Sequence, residues 1–492
     1  VPAPTRAQLT PPQGIYQWSG AVSEEWIDGG NWVGGNAPGI DADVLFGSTN
    51  TPPPEGTWIS TLGLDPLRSL WIDASSGINY GFEEEGITLG SGLDYGAHMN
   101  MVTLLSNGQQ QEEAVIATAV SFVNLYTAYI ENYSEMGLVF THPVSLKGYL
   151  RISGSGATHF RDKLNGKALI ETWHTESTPT HLVLSGKNED WSGLLTVNEH
   201  TLAFLKSDYA LGTGMMHQVK KGGTLGFRSH VNSVLNYETP KGTLLVSGTG
   251  AVRRTGKPAV GAIYSDGGLN MYSGNIVMLG DAWFGARGER QGLLLLSGKI
   301  TGANYSFTKV GPGLIYVTNP SNLWKETHIN AGVLGFTDSE SLGGGATPIV
   351  FGGGMLGLVS DTGNGSFAAD IGTGSGEVRW AGSGGFAALA GDHTVSLNGG
   401  ATLTVGDANF LQPGQRFLLS SRYSYNAITL VNDRNIENTP MIVEVERGQN
   451  ANAFAVLQGT SYNASGAQSY YQKWGEGLLW DQSTHEGASP NY

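Results

Sequence analysis

Two groups flanking one glycosidic bond are the minimum equipment for cleaving an acidic polysaccharide, as paired carboxylates or as Ca2+-holding carboxylates beside a basic proton acceptor. The sequence has no adjacent Asp pair, but Asp41 and Asp43 are two apart, a spacing that an alternating strand presents on one face. They lie in a tryptophan-rich head segment, where turn capping or a surface role is the better reading. Glu83-Glu84-Glu85 is an acidic run of the kind that forms a solvated loop. No serine nucleophile elbow occurs, and the 11 histidines are scattered without the His-x-x-x-His spacing of a helical metal site. There is no cysteine to supply a thiolate or a disulfide, and the Ca2+-binding Gly-Gly-x-Gly-x-Asp repeat is missing. The sequence supplies no catalytic, cofactor-binding or metal-ligating set, and the chain reads as a non-enzyme.

Tryptophans have the most to offer a ligand. Trp191, Trp283, Trp324, Trp380, Trp474 and Trp480 are potential platforms for sugar rings, set against the commoner use of large rings to fill or close a core, which is the favoured reading. Trp18, Trp26 and Trp32 fall within one glycine-punctuated segment that ends in an alternating strand at Phe46. Three indoles so close together can seal the open end of an apolar stack. With Trp474 and Trp480 near the other terminus, they are the candidate end-to-end assembly contacts.

The elements that carry these residues are short strands. The 492 residues include 73 glycines, and charged residues make up only 14%. Glycine spread among Val, Leu, Ile and Thr signals tight turns between strands, because glycine enters positive φ without steric cost. Alternating strands recur at Leu182–Gly186, Leu244–Gly248, Leu294–Gly298 and Ala401–Val405. Longer blocks recur too: Ala210-Leu-Gly-Thr-Gly followed by Gly222-Gly-Thr-Leu-Gly returns as Ser341-Leu-Gly-Gly-Gly followed by Gly353-Gly-Met-Leu-Gly, with the same separation. Lys309-Val-Gly-Pro-Gly-Leu-Ile returns as Lys473-Trp-Gly-Glu-Gly-Leu-Leu. A coil of about 20–25 residues that stacks its strands on the coil before satisfies every backbone group and buries one apolar stripe per strand. The fold expected is all-β, a right-handed parallel β-helix (β-solenoid), in a single elongated domain. Residues 1–14 form an extended Pro-rich arm, 15–50 a Trp-rich N-terminal cap, 51–480 the repeats and 481–492 a C-terminal tail. The segment 109–134 reads as strand despite helix-compatible spacing, and the stretch from Arg151 to Thr180 contains charged loops, Arg161-Asp-Lys and Glu171-Thr-Trp-His-Thr-Glu, that are expected to protrude.

These blocks resemble a family, the autotransporter-associated β-strand repeat proteins of bacteria. The likeness rests on Phe307-Thr-Lys-Val-Gly-Pro-Gly-Leu-Ile-Tyr-Val through Thr327-His-Ile-Asn-Ala-Gly-Val-Leu-Gly-Phe to Ser341-Leu-Gly, on Val260–Ile300, on Trp380–Gly400 and on the head at 18–46. The resemblance implies a passenger-like parallel β-helix outside the cell and little about activity. Members often end in a membrane β-barrel, which is lacking here.

A net charge of −15 without a basic cluster argues against nucleic acid and anionic membrane surfaces. No apolar run reaches the roughly 20 residues of a membrane-spanning helix, so no membrane insertion is expected. A first residue of Val1 fits an exported protein whose signal peptide was removed. The function expected is that of a secreted, extracellular or cell-surface scaffold that self-assembles head to tail into fibres, its partner being itself. A surface adhesin or glycan-binding β-helix is the alternative, and a polysaccharide-active enzyme ranks third.

Overall fold

The computed structural model describes residues 12–47, 58–73, 81–83, 86–89, 100–105, 113–123, 127–134, 136–174, 179–229, 234–237, 242–253, 257–288, 292–360, 364–436, 439–463 and 471–487. Most of the Pro-rich arm, Glu84 and Glu85 lie outside them. The chain divides into two compact units, Val1–Ser229 with Leu235–Ala262, and His230–Val234 with Ile263–Tyr492. The division falls inside the stretch 51–480, which the sequence gives no reason to split. Each unit is a parallel β-solenoid.

In the first unit each coil carries up to three short strands. Thr127–Asn132, Leu138–Phe140 and Val144–Leu146 make one coil, and Tyr149–Ser153, Ala157–Phe160 and Leu164–Gly166 stack on them in parallel, strand for strand. Because side chains alternate across a strand, in-register stacking lines up every second residue in the interior. One such row runs Val44, Leu70, Val102, Ile130, Ile152, Thr172, Val197, Val219, Val246, and all nine are buried. Thr172, the polar member, shares a hydroxyl hydrogen bond of 2.6 Å with Thr201.

The second unit repeats the device. Its interior row runs Asn270, Leu294, Ile315, Leu334, Leu356, Phe386, Leu419, Val445, again buried throughout. Phe284 and Phe307 stack at 4.2 Å, with Trp324 at 4.8 Å from Phe307. Coils advance from Leu314 to Val333 at their tightest, close to the expected length, and from Gly385 to Leu418 among their longest. The surplus in the long coils builds further ladders. One of them stacks Gly365–Ala369, His393–Leu397, Ile428–Leu430, Ala455–Leu457 and Leu479–Asp481.

Two sequence expectations change. Of the charged loops expected to protrude between Arg151 and Thr180, 161–163 is a short exposed turn between the strands Ala157–Phe160 and Leu164–Gly166, whereas Glu171 and Thr172 are buried in the strand Leu169–Thr172. The Glu171 carboxylate accepts there from Tyr149 and Asn198. The expected tail from Asp481 begins inside a strand, and Thr484–Gly487 adds another, paired in parallel with Thr460–Asn463.

Candidate functional site

The head segment closes the first unit by covering both its core and its strand edges. Trp26 and Trp32 meet edge-on at 4.8 Å, Trp18 and Trp32 at 5.1 Å, and all three pack against Phe46. The backbone folds back as well. Trp18 and Trp32 form an antiparallel bridge, Val33 donates to the carbonyl of Gln17, and Trp26 donates to that of Ser60. The outer edge of the first strands is therefore occupied by the chain's own loop. Asp28 caps the short 3-10 turn Gly29–Asn31 through the Gly30 amide at 2.9 Å, and the Asn31 Oδ1 accepts from the amides of Val22 and Ser23.

This geometry corrects two assignments. Trp18, Trp26 and Trp32 are only 1–3% exposed, so their rings seal the core and are not offered to another molecule. The shared strand face expected of Asp41 and Asp43 does not form, because the strand begins at Asp43, and Asp43 is not at the surface. Asp43 is buried and holds the Arg68 guanidinium and the Ser69 hydroxyl of the next coil, whereas Asp41 occupies a turn at φ 59°.

The last described coil is the opposite case. Trp474 is 45% exposed, Trp480 54% and Leu478 64%. Its strands Gln472–Trp474, Leu479–Asp481 and Thr484–Gly487 are each paired on one side among the described residues. Beneath it, Arg434 is fully buried without a carboxylate. Its guanidinium donates to the carbonyls of Asn432 and Gln458, to Tyr471 Oη at 2.8 Å and to the hydroxyls of Ser461 and Ser483. One buried cation thus ties the last coil to those before it. Of the other candidate sugar platforms, Trp191, Trp324 and Trp380 are buried and spent on packing, whereas Trp283 is half-buried.

A groove that sequence reasoning missed lies on the outer face of the second unit. The outward row there is apolar: Leu314, Val333 and Met355, then Gly385 and Leu418, followed by Glu444 and Trp474. Leu389 and Tyr423 fold over the row, so that outward residues are buried as a small second core. Between this cover and the following coil is a cavity of about 170 Å3, floored by Val333, Met355 and Leu418 and edged by Arg422, Glu444 and Glu446. Glu444 pairs with Arg416 at 2.8 Å, Glu446 with Arg422 at 3.8 Å, and Arg416 lies 4.1 Å over the Trp474 ring. Two hydroxyls of the lining, Ser420 Oγ and Tyr423 Oη, are buried without a hydrogen-bond partner. Ser420 also holds the left-handed backbone conformation, at φ 64°, which a non-glycine residue adopts only at a cost in energy. Its trace in the sequence is Glu444-Val-Glu446, two carboxylates at alternating positions where the chain leaves the strand Ile442–Val445. The spacing alone does not separate them from ordinary surface charges.

A second cavity of about 380 Å3, between Phe336, Leu358 and Phe367, is of mixed polarity, with Asp338, Ser339 and Thr347 also in its lining. Its histidine, His393, is committed to the Ala390 carbonyl at 3.0 Å, and burial keeps its pKa below the usual imidazole range. Among the described residues no group of three or more His, Cys, Asp or Glu is placed to hold a metal ion, and no helix is long and apolar enough to cross a membrane. No family model, curated protein or solved structure matches this chain.

Proposed function

We propose that this chain is an extracellular structural solenoid that assembles head to tail, the exposed face of the last coil of one copy meeting the apolar outer surface of the cap of the next. The observation that carries the reading is the distribution of exposed apolar side chains. Of the 15 large ones among the described residues, Val22, Ile27, Val33, Ile40 and Leu62 lie on or around the cap, and Trp474, Leu478 and Trp480 on the last coil. Exposed apolar residues scattered singly are ordinary, but clusters mark contact surfaces. Because the cap's strand edge is already bridged, the contact is one of side chains, with no strand added across it. The low charge content and the resemblance of the repeats to exported passengers favour a setting outside the cell.

The test is the mass of the purified chain by light scattering as concentration rises. Growth beyond the monomer, abolished by Leu478→Ser with Trp480→Ser, is the expected result. A wild-type chain that stays monomeric up to its solubility limit, or a double variant that assembles as well as wild type, refutes the reading.

A further inference from the structure

The outer groove of the second unit joins a packed apolar cluster to polar groups that packing does not account for. Outward positions of a solenoid strand normally meet water, yet here Val333 and Met355 form a dry floor beneath Leu389 and Tyr423. Protein interiors pair their buried polar groups, and a hydroxyl left unpaired costs stability. This lining tolerates two, Ser420 Oγ and Tyr423 Oη, one of them on strained backbone. Unsatisfied polar groups and local strain concentrate where a ligand supplies the missing partner.

The charges on the rim restrict the kind of ligand. Glu444 and Glu446 are matched by Arg416 and Arg422, so the rim has polarity without net charge. Each carboxylate retains lone pairs beyond those its arginine uses, and the guanidinium groups retain N–H donors. An apolar floor beside alternating donors and acceptors fits a molecule with one C–H face and a periphery of hydroxyls. The volume of about 170 Å3 is below the roughly 300–1,000 Å3 of sites for drug-sized ligands, enough for a single ring. Beside the groove, Trp474 under Arg416 provides a flat, exposed surface on which a neighbouring ring can stack.

We propose that this groove binds one unit of a neutral polysaccharide, its ring on Val333, Met355 and Leu418 and its hydroxyls on Glu444, Arg422, Ser420 and Tyr423. The site is a binding site, and its floor and hydroxyl partners are separate from the end-to-end contact, with which it shares only the flanking Trp474.

The experiment is calorimetric titration of the full chain with cellohexaose, xylohexaose and mannohexaose, and with hexagalacturonate as the charged counterpart. At least one neutral hexasaccharide is expected to bind, and hexagalacturonate to bind at least tenfold more weakly. Tyr423→Phe, which removes one oxygen, and Glu444→Gln, which unbalances the rim, are each expected to weaken binding about fivefold with circular dichroism unchanged. Lys163→Ala, in the first unit, leaves it as it was. The proposal is overturned if none of the three neutral sugars binds, if the acidic one binds best, or if folded Tyr423→Phe and Glu444→Gln both bind as wild type. Light scattering of the Leu478→Ser/Trp480→Ser variant separates this result from the assembly reading, because those substitutions do not touch the floor of the groove.

Discussion

Asn322 donates from its side-chain amide to the carbonyl of Ser341 on the following coil at 2.9 Å, and Asn188 does the same to Ala210 at 2.7 Å. Each asparagine also accepts, through Oδ1, a backbone N–H of the coil before it, Ile300 for Asn322 and Leu164 for Asn188, both at 2.8 Å. Ser341 and Ala210 open the two copies of the recurring Leu-Gly block, so the sequence repeat is held by a repeated three-coil hydrogen-bond clamp. Replacing Asn322 by Ala leaves a buried N–H and a carbonyl unpaired and is expected to cost about 2–4 kcal/mol. Urea unfolding measures the loss, and amide exchange at Ile300 is expected to accelerate while amides of the first unit keep their rates.

Lys309 and Lys473 occupy the same place in their repeat, and each donates its Nζ to the carbonyl two residues on, Gly311 and Gly475. Lys309 is fully buried and adds bonds to the carbonyls of Val310 and Ala331, whereas Lys473 is exposed. Burial lowers the Lys309 pKa to about 7. Lys309→Met is expected to cost roughly 2–3 kcal/mol by stranding buried carbonyls. Lys473→Met, whose carbonyl turns to water, should change stability by under about 0.5 kcal/mol. Equal effects in thermal unfolding would refute the distinction.

Glu131 supplies a pH dependence. It is buried, its Oε2 has no partner, and desolvation raises its pKa from 4.5 to about 7. The folded state holds the proton more tightly than the unfolded chain, so its contribution is complete below about pH 4.5 and is lost as pH rises through 7. Glu131→Gln, which mimics the protonated form, is expected to match wild type at pH 4 and to exceed it at pH 8 by up to roughly 3 kcal/mol. Stability curves at the two pH values decide it.

Arg434 is the corresponding device beneath the exposed coil. Arg434→Met removes donors to five acceptors from Asn432 to Ser483. Residues 471–487 are then expected to become sensitive to limited proteolysis at a concentration at which wild type resists, with the first unit remaining intact.

The solenoid was legible because its determinants are local: glycine turns, period-two strands such as His393–Leu397, and blocks that recur at fixed spacing. The head at Trp18, Trp26 and Trp32 was legible as an aromatic seal for the same reason, but not the antiparallel bridge that closes its edge, because that depends on a loop doubling back. The groove was illegible. Glu444 and Glu446 look like surface charges until Leu389 and Tyr423, from other coils, roof the strands beside them. Burial of Lys309 and Arg434 was equally hidden, since neither residue type announces an inward side chain. The loop expected from Glu171 was misread at its start because charge was taken for protrusion, when Glu171 is buried with Tyr149 and Asn198 as its donors.

The central claim, that the exposed last coil meets the outer surface of the cap, can be probed directly because the chain has no cysteine. Ile27→Cys and Leu478→Cys are prepared as separate variants, then mixed and treated with a short bismaleimide. Head-to-tail assembly predicts cross-linked dimers that contain one copy of each variant, with little product from either variant alone. Dimers formed by Leu478→Cys with itself, or no cross-linking in the mixture, would contradict it.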